Sequence, residues 1–217
     1  LKRLGPGAAI QIDVCTVMTK GVGRLKRIGV LALQGAFVEH IAQLRRLDVE
    51  AFPVRLPREL EGLDGLIIPG GESTTISRLM REYGLMAPLR KLAEEGFPML
   101  GTCAGMILLA KQVSDINVEP LGAMDIAVRR NAFGRQVDSF ETDIEIPVIG
   151  EPHFHAIFIR APFIESARDG VQVLAQLPDG SGVAARQGNM LALAFHPELT
   201  EDLRLHGYFL TIVRGER

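Results

Sequence analysis

In Phe97-Pro98-Met99-Leu100-Gly101-Thr102-Cys103-Ala104-Gly105-Met106-Ile107-Leu108-Leu109, an apolar run, a turn with two glycines and a second apolar run follow without a break. The run over 97–100 has the length of a buried strand, and residues 104–112 read as a helix. Strand, sharp turn and helix around Gly-x-Cys-x-Gly form the pattern of a nucleophile elbow with Cys in the usual Ser position. Gly101 and Gly105 permit a turn that a side chain would block. The helix N-terminus offers partial positive charge and unpaired N–H groups to the sulfur, which favours its anionic form. The Ala104 N–H is positioned to donate to an oxyanion. Buried cysteines are common and mostly inert, and it is the glycines and the strand–helix junction that set Cys103 apart. Cys15, the other of two cysteines, has no such setting.

Upstream of this elbow, strands and helices alternate. Residues 27–33 form an apolar run suited to a fully buried parallel strand. Phe37, Ile41, Leu44 and Leu47 recur at helical spacing with polar residues between them. Strands are predicted over 49–54 and 63–68, and helices over 73–82 and 88–95, with Pro88 in a first turn. Such alternation indicates βαβ units and a parallel sheet. Downstream, strands are predicted over 121–128, 140–148, 155–160, 171–177, 182–187 and 190–195. Asp179-Gly180-Ser181-Gly182 marks a hairpin between two of them. These strands are expected to add antiparallel pairs to one edge, with the chain returning to the sheet near Phe195. The expected fold is one α/β domain over 26–217, a mostly parallel sheet flanked by helices in three layers with added antiparallel strands.

The chain has 217 residues, 47% of them hydrophobic, enough for one domain that buries roughly 70% of its unfolded surface without staples. It contains no 18-residue apolar run, which excludes a membrane span. Two cysteines cannot build a disulfide framework, in keeping with a reduced, cytoplasmic setting. The formal charge of −2 hides an asymmetry. Residues 1–27 hold six of the 24 basic residues and one of the 26 acidic ones, leaving −7 on the remainder. An acidic body without a basic stripe excludes nucleic acid as a partner. Residues 1–25 lack a sustained period and are broken at Gly5-Pro6-Gly7 and Gly21-Val22-Gly23. Asp13 interrupts their apolar part and no A-x-A site follows, so they read as a mobile extension rather than a signal peptide. Met18 or the codon of Leu25 is a candidate natural start.

In open α/β sheets ligands sit beyond the carboxyl ends of the strands. Four strand exits therefore matter: Gln34-Gly35, Pro69-Gly70-Gly71-Glu72-Ser73, the Cys103 turn and His196-Pro197-Glu198. A thiol nucleophile needs a base, and the base needs an orienting group. His196 follows an apolar strand, and Glu198, two residues on, shares its side if the segment is extended. Pro197 stiffens the segment. Alone, His-Pro-Glu could equally be a turn with two solvated polar groups; beside Cys103, a Cys-His-Glu triad is the stronger reading. Glycines at 70 and 71 let backbone N–H groups approach a ligand, while Ser73 or Thr74 could simply cap a helix. His153 and His155 form a weak H-x-H metal pattern, and no metal is expected. His40 and His206 fall in predicted helices, as structural or solvated residues; His40 could also sit at an interface. Arg130 and Arg160 suit a small carboxylate, though most arginines are solvated.

Taken together, several stretches resemble the class I, triad-type glutamine amidotransferases. More narrowly, they resemble the glutaminase subunits of two-component pyridoxal 5'-phosphate synthases. They are Ile28 to Gly35 (IGVLALQG), Pro69 to Thr75 (PGGESTT) and Gly101 to Met106 (GTCAGM), then Arg130 to Glu141 (RNAFGRQVDSFE), Phe158 to Pro162 (FIRAP) and His196 to Asp202 (HPELTED). The resemblance runs from about residue 26 to the C-terminus, and the 130–141 stretch separates this subfamily from other amidotransferases. It implies a flavodoxin-like fold, Cys103 as nucleophile, His196 as general base and acid, and Glu198 as the orienting carboxylate. It also implies that Gly71, Glu72, Ser73, Arg130, Ile159 and Arg160 hold L-glutamine, and that Gly71 and Ala104 line the oxyanion hole. Gln34-Gly35 would lie at the face toward the partner. No cofactor is implied; the implied partner is a separate TIM-barrel synthase subunit that consumes the ammonia. Another cysteine hydrolase acting on γ-glutamyl substrates and a noncatalytic regulatory subunit are the competing expectations.

Overall fold

The computed structural model describes residues 24–114, 117–130, 139–168 and 170–216. Most of the 1–25 extension, with Cys15, and residues 131–138 of the subfamily stretch lie outside them. Strand β1 (Arg27–Leu31) lies between β2 (Glu50–Val54) and β3 (Gly65–Ile68), parallel to both, with helix α1 (Phe37–Arg45) crossing from β1 to β2. Helices α2 (Ser73–Glu82) and α3 (Met86–Glu94) lead to β4 (Met99–Thr102), parallel to β3. After α4 (Ala104–Leu109) come β5 (Ala110–Val113), β6 (Met124–Arg129) and the antiparallel pair β7 (Ser139–Ile144) and β8 (Phe154–Ile159). The chain closes with β9 (Phe163–Ala167), β10 (Gln172–Gln176), β11 (Gly182–Gln187), β12 (Met190–Leu193) and α5 (Arg204–Arg214).

The large sheet runs in the order β2-β1-β3-β4-β12-β11-β9-β6-β5, with β10 beside β11. β12 returns parallel to β4, pairing Gly101 with Ala192 and Thr102 with Leu193. The chain thus comes back to the sheet centre from its antiparallel half, as the sequence implied, and two strand exits become neighbours. Helices cover both faces. A Cβ on Gly65 would point at Val213 and Phe209 of α5, while Ile68, three residues on, meets Gly105 of α4. Positions 65 and 68 face opposite sides of a strand, so α4 and α5 sandwich the sheet in three layers.

Three local expectations need correction. The apolar run after Cys103 is not helical to Gln112. α4 ends at Leu109, and residues 110–113 become β5 on the sheet edge, a choice that periodicity within an unbroken apolar run cannot make. The strand predicted over 140–148 stops at Ile144, because Pro147–Ile149 forms a 3₁₀ turn. β9 was not anticipated; its partners on β6 and β11 are distant in sequence, and exposed Glu165 and Ser166 dilute its apolar pattern.

Phe195, just beyond β12, packs against Phe154 and Phe158 of β8 at centroid distances of 5.7 and 5.5 Å. The His196 N–H donates to the Ile157 carbonyl at 2.9 Å. These contacts hold the end of β8 over the carboxyl edge of the central strands. The elbow itself depends on close approach: a Cβ on Gly105 would lie 1.9 Å from the Ile68 carbonyl oxygen. Alanine is worth up to about 1 kcal/mol over glycine inside a helix, whereas overpacking costs about 1–3 kcal/mol. A backbone oxygen cannot escape by changing rotamer, so Gly105→Ala should lose about 2 kcal/mol net. A urea midpoint unchanged or raised in this variant would mean that the carbonyl can move aside.

Candidate active site

Cys103 joins β4 to α4 with φ 48 and ψ −104. This left-handed backbone is strained for a side-chain-bearing residue, and the neighbouring chain enforces it. The Cys103 N–H donates to Leu193 of β12 at 2.8 Å, and its carbonyl accepts from Met106 at 3.1 Å. The side chain is buried, yet it opens onto a cavity of about 240 Å³. Its sulfur lies 3.8 Å from the Ile159 carbonyl oxygen.

His196 reaches the same cavity from the exit of β12. A Cβ on Gly70 would lie 2.3 Å from His196 Cε1 and 3.3 Å from Cys103 Cβ, so only glycine leaves both side chains room to meet there. His196 Nδ1 is 2.7 Å from Glu198 Oε1. The segment is not extended as expected: Glu198 sits in the 3₁₀ turn Pro197–Leu199, with His196 preceding it at φ −109. The turn, rather than strand alternation, swings the carboxylate back onto the imidazole. Burial alone would lower the His196 pKa, but hydrogen bonds to Cys103 and Glu198, and their charges, raise it to about 10. Burial pushes Glu198 upward, yet His40 and His196 hold its carboxyl below the usual range. At neutral pH the pair is therefore imidazolium and carboxylate beside the sulfur.

The cavity walls bring the other predicted residues together. Gly71, Glu72, Ser73, Ala104, Arg130, Ile159 and Arg160 all line it, as do Gln34 and Ile107. Glu72, not Ser73 or Thr74, is the N-cap of α2. Its carboxylate accepts the N–H groups of Thr74 and Thr75 at 3.2 and 2.7 Å and the Thr74 hydroxyl, and pairs with Arg130 at 3.2 Å. Despite an opposing burial effect, these hydrogen bonds pull its pKa to about 2. The Glu72 N–H in turn donates to Gln34 Oε1 at 2.7 Å. Ser73 is 2% exposed, and its hydroxyl has no hydrogen-bond partner among the described residues. Arg160 holds a left-handed φ of 43 at the end of β8.

Of the other histidines, His155 lies exposed on a strand and His40 and His206 lie in helices, as the sequence implied. His155 bridges Asp143 and Glu141 across β7 and β8 at 2.8 and 2.9 Å. Among the described residues, no group of three His, Cys, Asp or Glu is placed to hold a metal ion. No helix among them is long and apolar enough to cross a membrane. His40 and His206 are both fully buried, and His40 Nε2 lies 3.3 Å from Glu198 Oε2. Sequence reasoning missed His40 as a neighbour of the candidate triad; the available signal was its place beside Ile41 and Leu44 on the apolar face of α1. It also missed Ile107, one helical turn beyond Cys103.

The model of the SNO glutamine amidotransferase family matches residues 30–214. The pyridoxal 5'-phosphate synthase subunit PdxT of Moorella thermoacetica is 58% identical over 187 residues, covering 86% of this chain and 99% of that protein. The subunit of the same name from Herpetosiphon aurantiacus is 58% identical over 186 residues, covering 84% and 98%. A crystal structure of a glutamine amidotransferase, 53% identical, superposes with a TM-score of 0.82 over 86% of this chain and 98% of the other.

Proposed function

The chain belongs to the SNO glutamine amidotransferase family, and we propose that Cys103, His196 and Glu198 are the triad with which it hydrolyses L-glutamine. It is a glutaminase, the subunit that supplies ammonia for pyridoxal 5'-phosphate synthesis. The observation that carries the triad is the 2.7 Å contact between His196 and Glu198 at a cavity that also holds Cys103 on a strained elbow. The Cys103 thiolate attacks the side-chain carboxamide carbon, and the resulting oxyanion is received by backbone N–H groups at Gly71 and Ala104. His196, charged at neutral pH, gives its proton to the departing nitrogen as the C–N bond breaks. Ammonia leaves, and a glutamyl thioester remains on Cys103. His196 then takes a proton from water, the resulting hydroxide adds to the thioester, and the C–S bond breaks to give L-glutamate and thiolate.

Arg130 and Arg160 on the cavity wall fit the α-carboxylate of a free amino acid better than the interior of a peptide, since guanidinium geometry matches a carboxylate. The buried Ser73 hydroxyl, without a partner among the described residues, is a ready donor or acceptor for the same ligand, and Gly71, Glu72 and the Ile159 backbone complete its contacts. Free ammonia is largely protonated near neutral pH, so the product is passed through protein to a separate TIM-barrel synthase subunit rather than released to solvent. The family match beginning at residue 30 supports residues 1–25 as an extension outside the catalytic body of 26–217. A soluble, cytoplasmic enzyme is the corresponding setting.

The test measures ammonia release from L-glutamine by the purified protein, alone and with the synthase subunit, beside cleavage of γ-glutamyl peptides. Slow release alone, stimulation by the synthase and no peptide cleavage are expected. Peptide cleavage without ammonia from glutamine would favour a γ-glutamyl hydrolase instead, and no turnover under either condition would favour a regulatory subunit.

A further inference from the structure

Behind the candidate triad lies a second line of buried polar side chains. His40 on α1 is fully buried; its Nδ1 is 2.9 Å from His206 Nε2 on α5, and its Nε2 is 3.1 Å from Thr102 Oγ1. That same Nε2 is 3.3 Å from Glu198 Oε2, a buried carboxylate oxygen that has no aligned hydrogen bond among the described residues. The Thr102 hydroxyl accepts the Gly70 N–H at 3.1 Å. Gln43, also on α1, donates to the Thr200 carbonyl at 2.6 Å and to the Glu198 carbonyl at 3.5 Å. α1 therefore grips the Glu198 turn by its backbone and faces its side chain.

Burial decides the protonation of the two rings. His206 is held at about 3, by burial first and then by His40. Burial likewise keeps His40 below its ordinary value, with the charge of His196 in the same direction and those of Glu198 and Glu39 opposing. Each ring is then neutral, with one N–H. Placing the His40 proton on Nδ1 would let the Thr102 hydroxyl donate to Nε2, but it would set that nitrogen's lone pair against the Glu198 carboxylate and leave the His206 Nδ1–H without an acceptor among the described residues. Placing it on Nε2 turns an N–H toward the two oxygens beside it, Thr102 Oγ1 at 3.1 Å and Glu198 Oε2 at 3.3 Å, and leaves Nδ1 to accept from His206 Nε2–H. The cost of that arrangement falls on His206 Nδ1, a lone pair without a partner among the described residues, which is milder than two acceptors in opposition.

Resting on the triad reading above, we infer that His40 is a positioning residue for the glutaminase reaction: its Nε2–H, fixed in that tautomer by His206, holds Glu198 Oε2 so that Oε1 stays aimed at His196. A carboxylate can orient an imidazole only while its own rotamer is fixed, and outer partners commonly supply that constraint. Without His40, the buried carboxylate would gain rotational freedom, and the imidazole would lose its alignment with the sulfur.

The test compares wild type, His40→Leu, His40→Gln and His206→Phe for kcat and KM in ammonia release, with thermal melts and imidazole ¹⁵N spectra of wild type. His40→Leu should lose about a hundredfold in kcat, the scale of a misplaced catalytic group, with KM for L-glutamine unchanged. His40→Gln, whose amide N–H can reach the same oxygen, should recover most of that loss, and His206→Phe should fall between. The spectra should place the proton of His40 on Nε2. His40→Leu that melts earlier but keeps wild-type kcat overturns the inference. So does a His40 proton on Nδ1, a reading available even where His40→Leu does not fold. Ammonia release surviving in Cys103→Ala would instead remove the triad reading itself, so the two failures are distinguishable.

Discussion

Cys103→Ala should reduce kcat for ammonia release from L-glutamine by about 10⁴-fold or more, the scale on which removing a covalent nucleophile acts. No other described side chain can replace it, because Cys103 is the only cysteine among them. The substitution should leave folding nearly intact. Alanine carries the same Cβ and so bears the same strain at φ 48, and the truncation removes one buried atom at the edge of an open cavity rather than within the core. A melting temperature close to that of wild type, with glutamine binding retained, would assign the loss to chemistry. Cys15→Ala, outside the described residues, should behave as wild type. Full activity in Cys103→Ala would end the thioester mechanism.

Glu198→Gln is expected to cost about 10³- to 10⁴-fold in kcat, as removal of an orienting carboxylate does in other triads. Two effects combine. A glutamine amide turned toward His196 Nδ1 presents N–H groups, so the imidazole must place its own proton on Nε2, the wrong tautomer for a base. In addition, the hydrogen bond and the charge with which Glu198 raises His196 are lost, leaving burial, which lowers it, opposed mainly by Cys103. The sign is direct. In wild type the imidazolium persists until pH rises through about 10, and in the variant it is lost at lower pH. The alkaline limb of kcat/KM should therefore move toward neutrality. An unmoved limb with less than a tenfold loss of kcat would show that His196 is held by something other than Glu198.

The same raised pKa has a consequence for stability. A histidine whose folded pKa exceeds its unfolded value of about 6.5 stabilises the fold fully below that value, and the contribution fades as pH rises toward 10. The imidazolium is thus part of what holds the β12 exit against the elbow, and chemistry and local order share one proton.

Much of this was open to the sequence because it is written in short-range patterns. Gly101-Thr102-Cys103-Ala104-Gly105 specifies its own turn, since the two glycines stand where any Cβ would strike backbone. The runs that became β1, β3, β4 and β12 are apolar and almost wholly buried, as strands covered on both faces must be. Ser73–Glu82 was recovered to the residue, because a polar cap precedes a clear amphipathic period. The resemblance in six separate stretches carried the family, and with it the activity.

Only the folded chain could decide which distant groups meet. β12 arrives beside β4 after nearly ninety residues of intervening chain, and nothing local in residues 190–198 names that neighbour. The pairing converts two separate strand exits into one cavity. α4 ended at Leu109 because the next residues found a strand partner in β6, a competition that local propensity does not encode. The proximity of His40, His206 and Glu198 has the same origin: three elements from opposite ends of the chain bury polar groups that must then satisfy one another, and burial fixes the protons they carry. The sequence by itself determined the chemistry available at each strand exit. The tertiary structure decided which exits share a cavity and which buried groups hold the carboxylate in place, because those depend on long-range strand order and on desolvation.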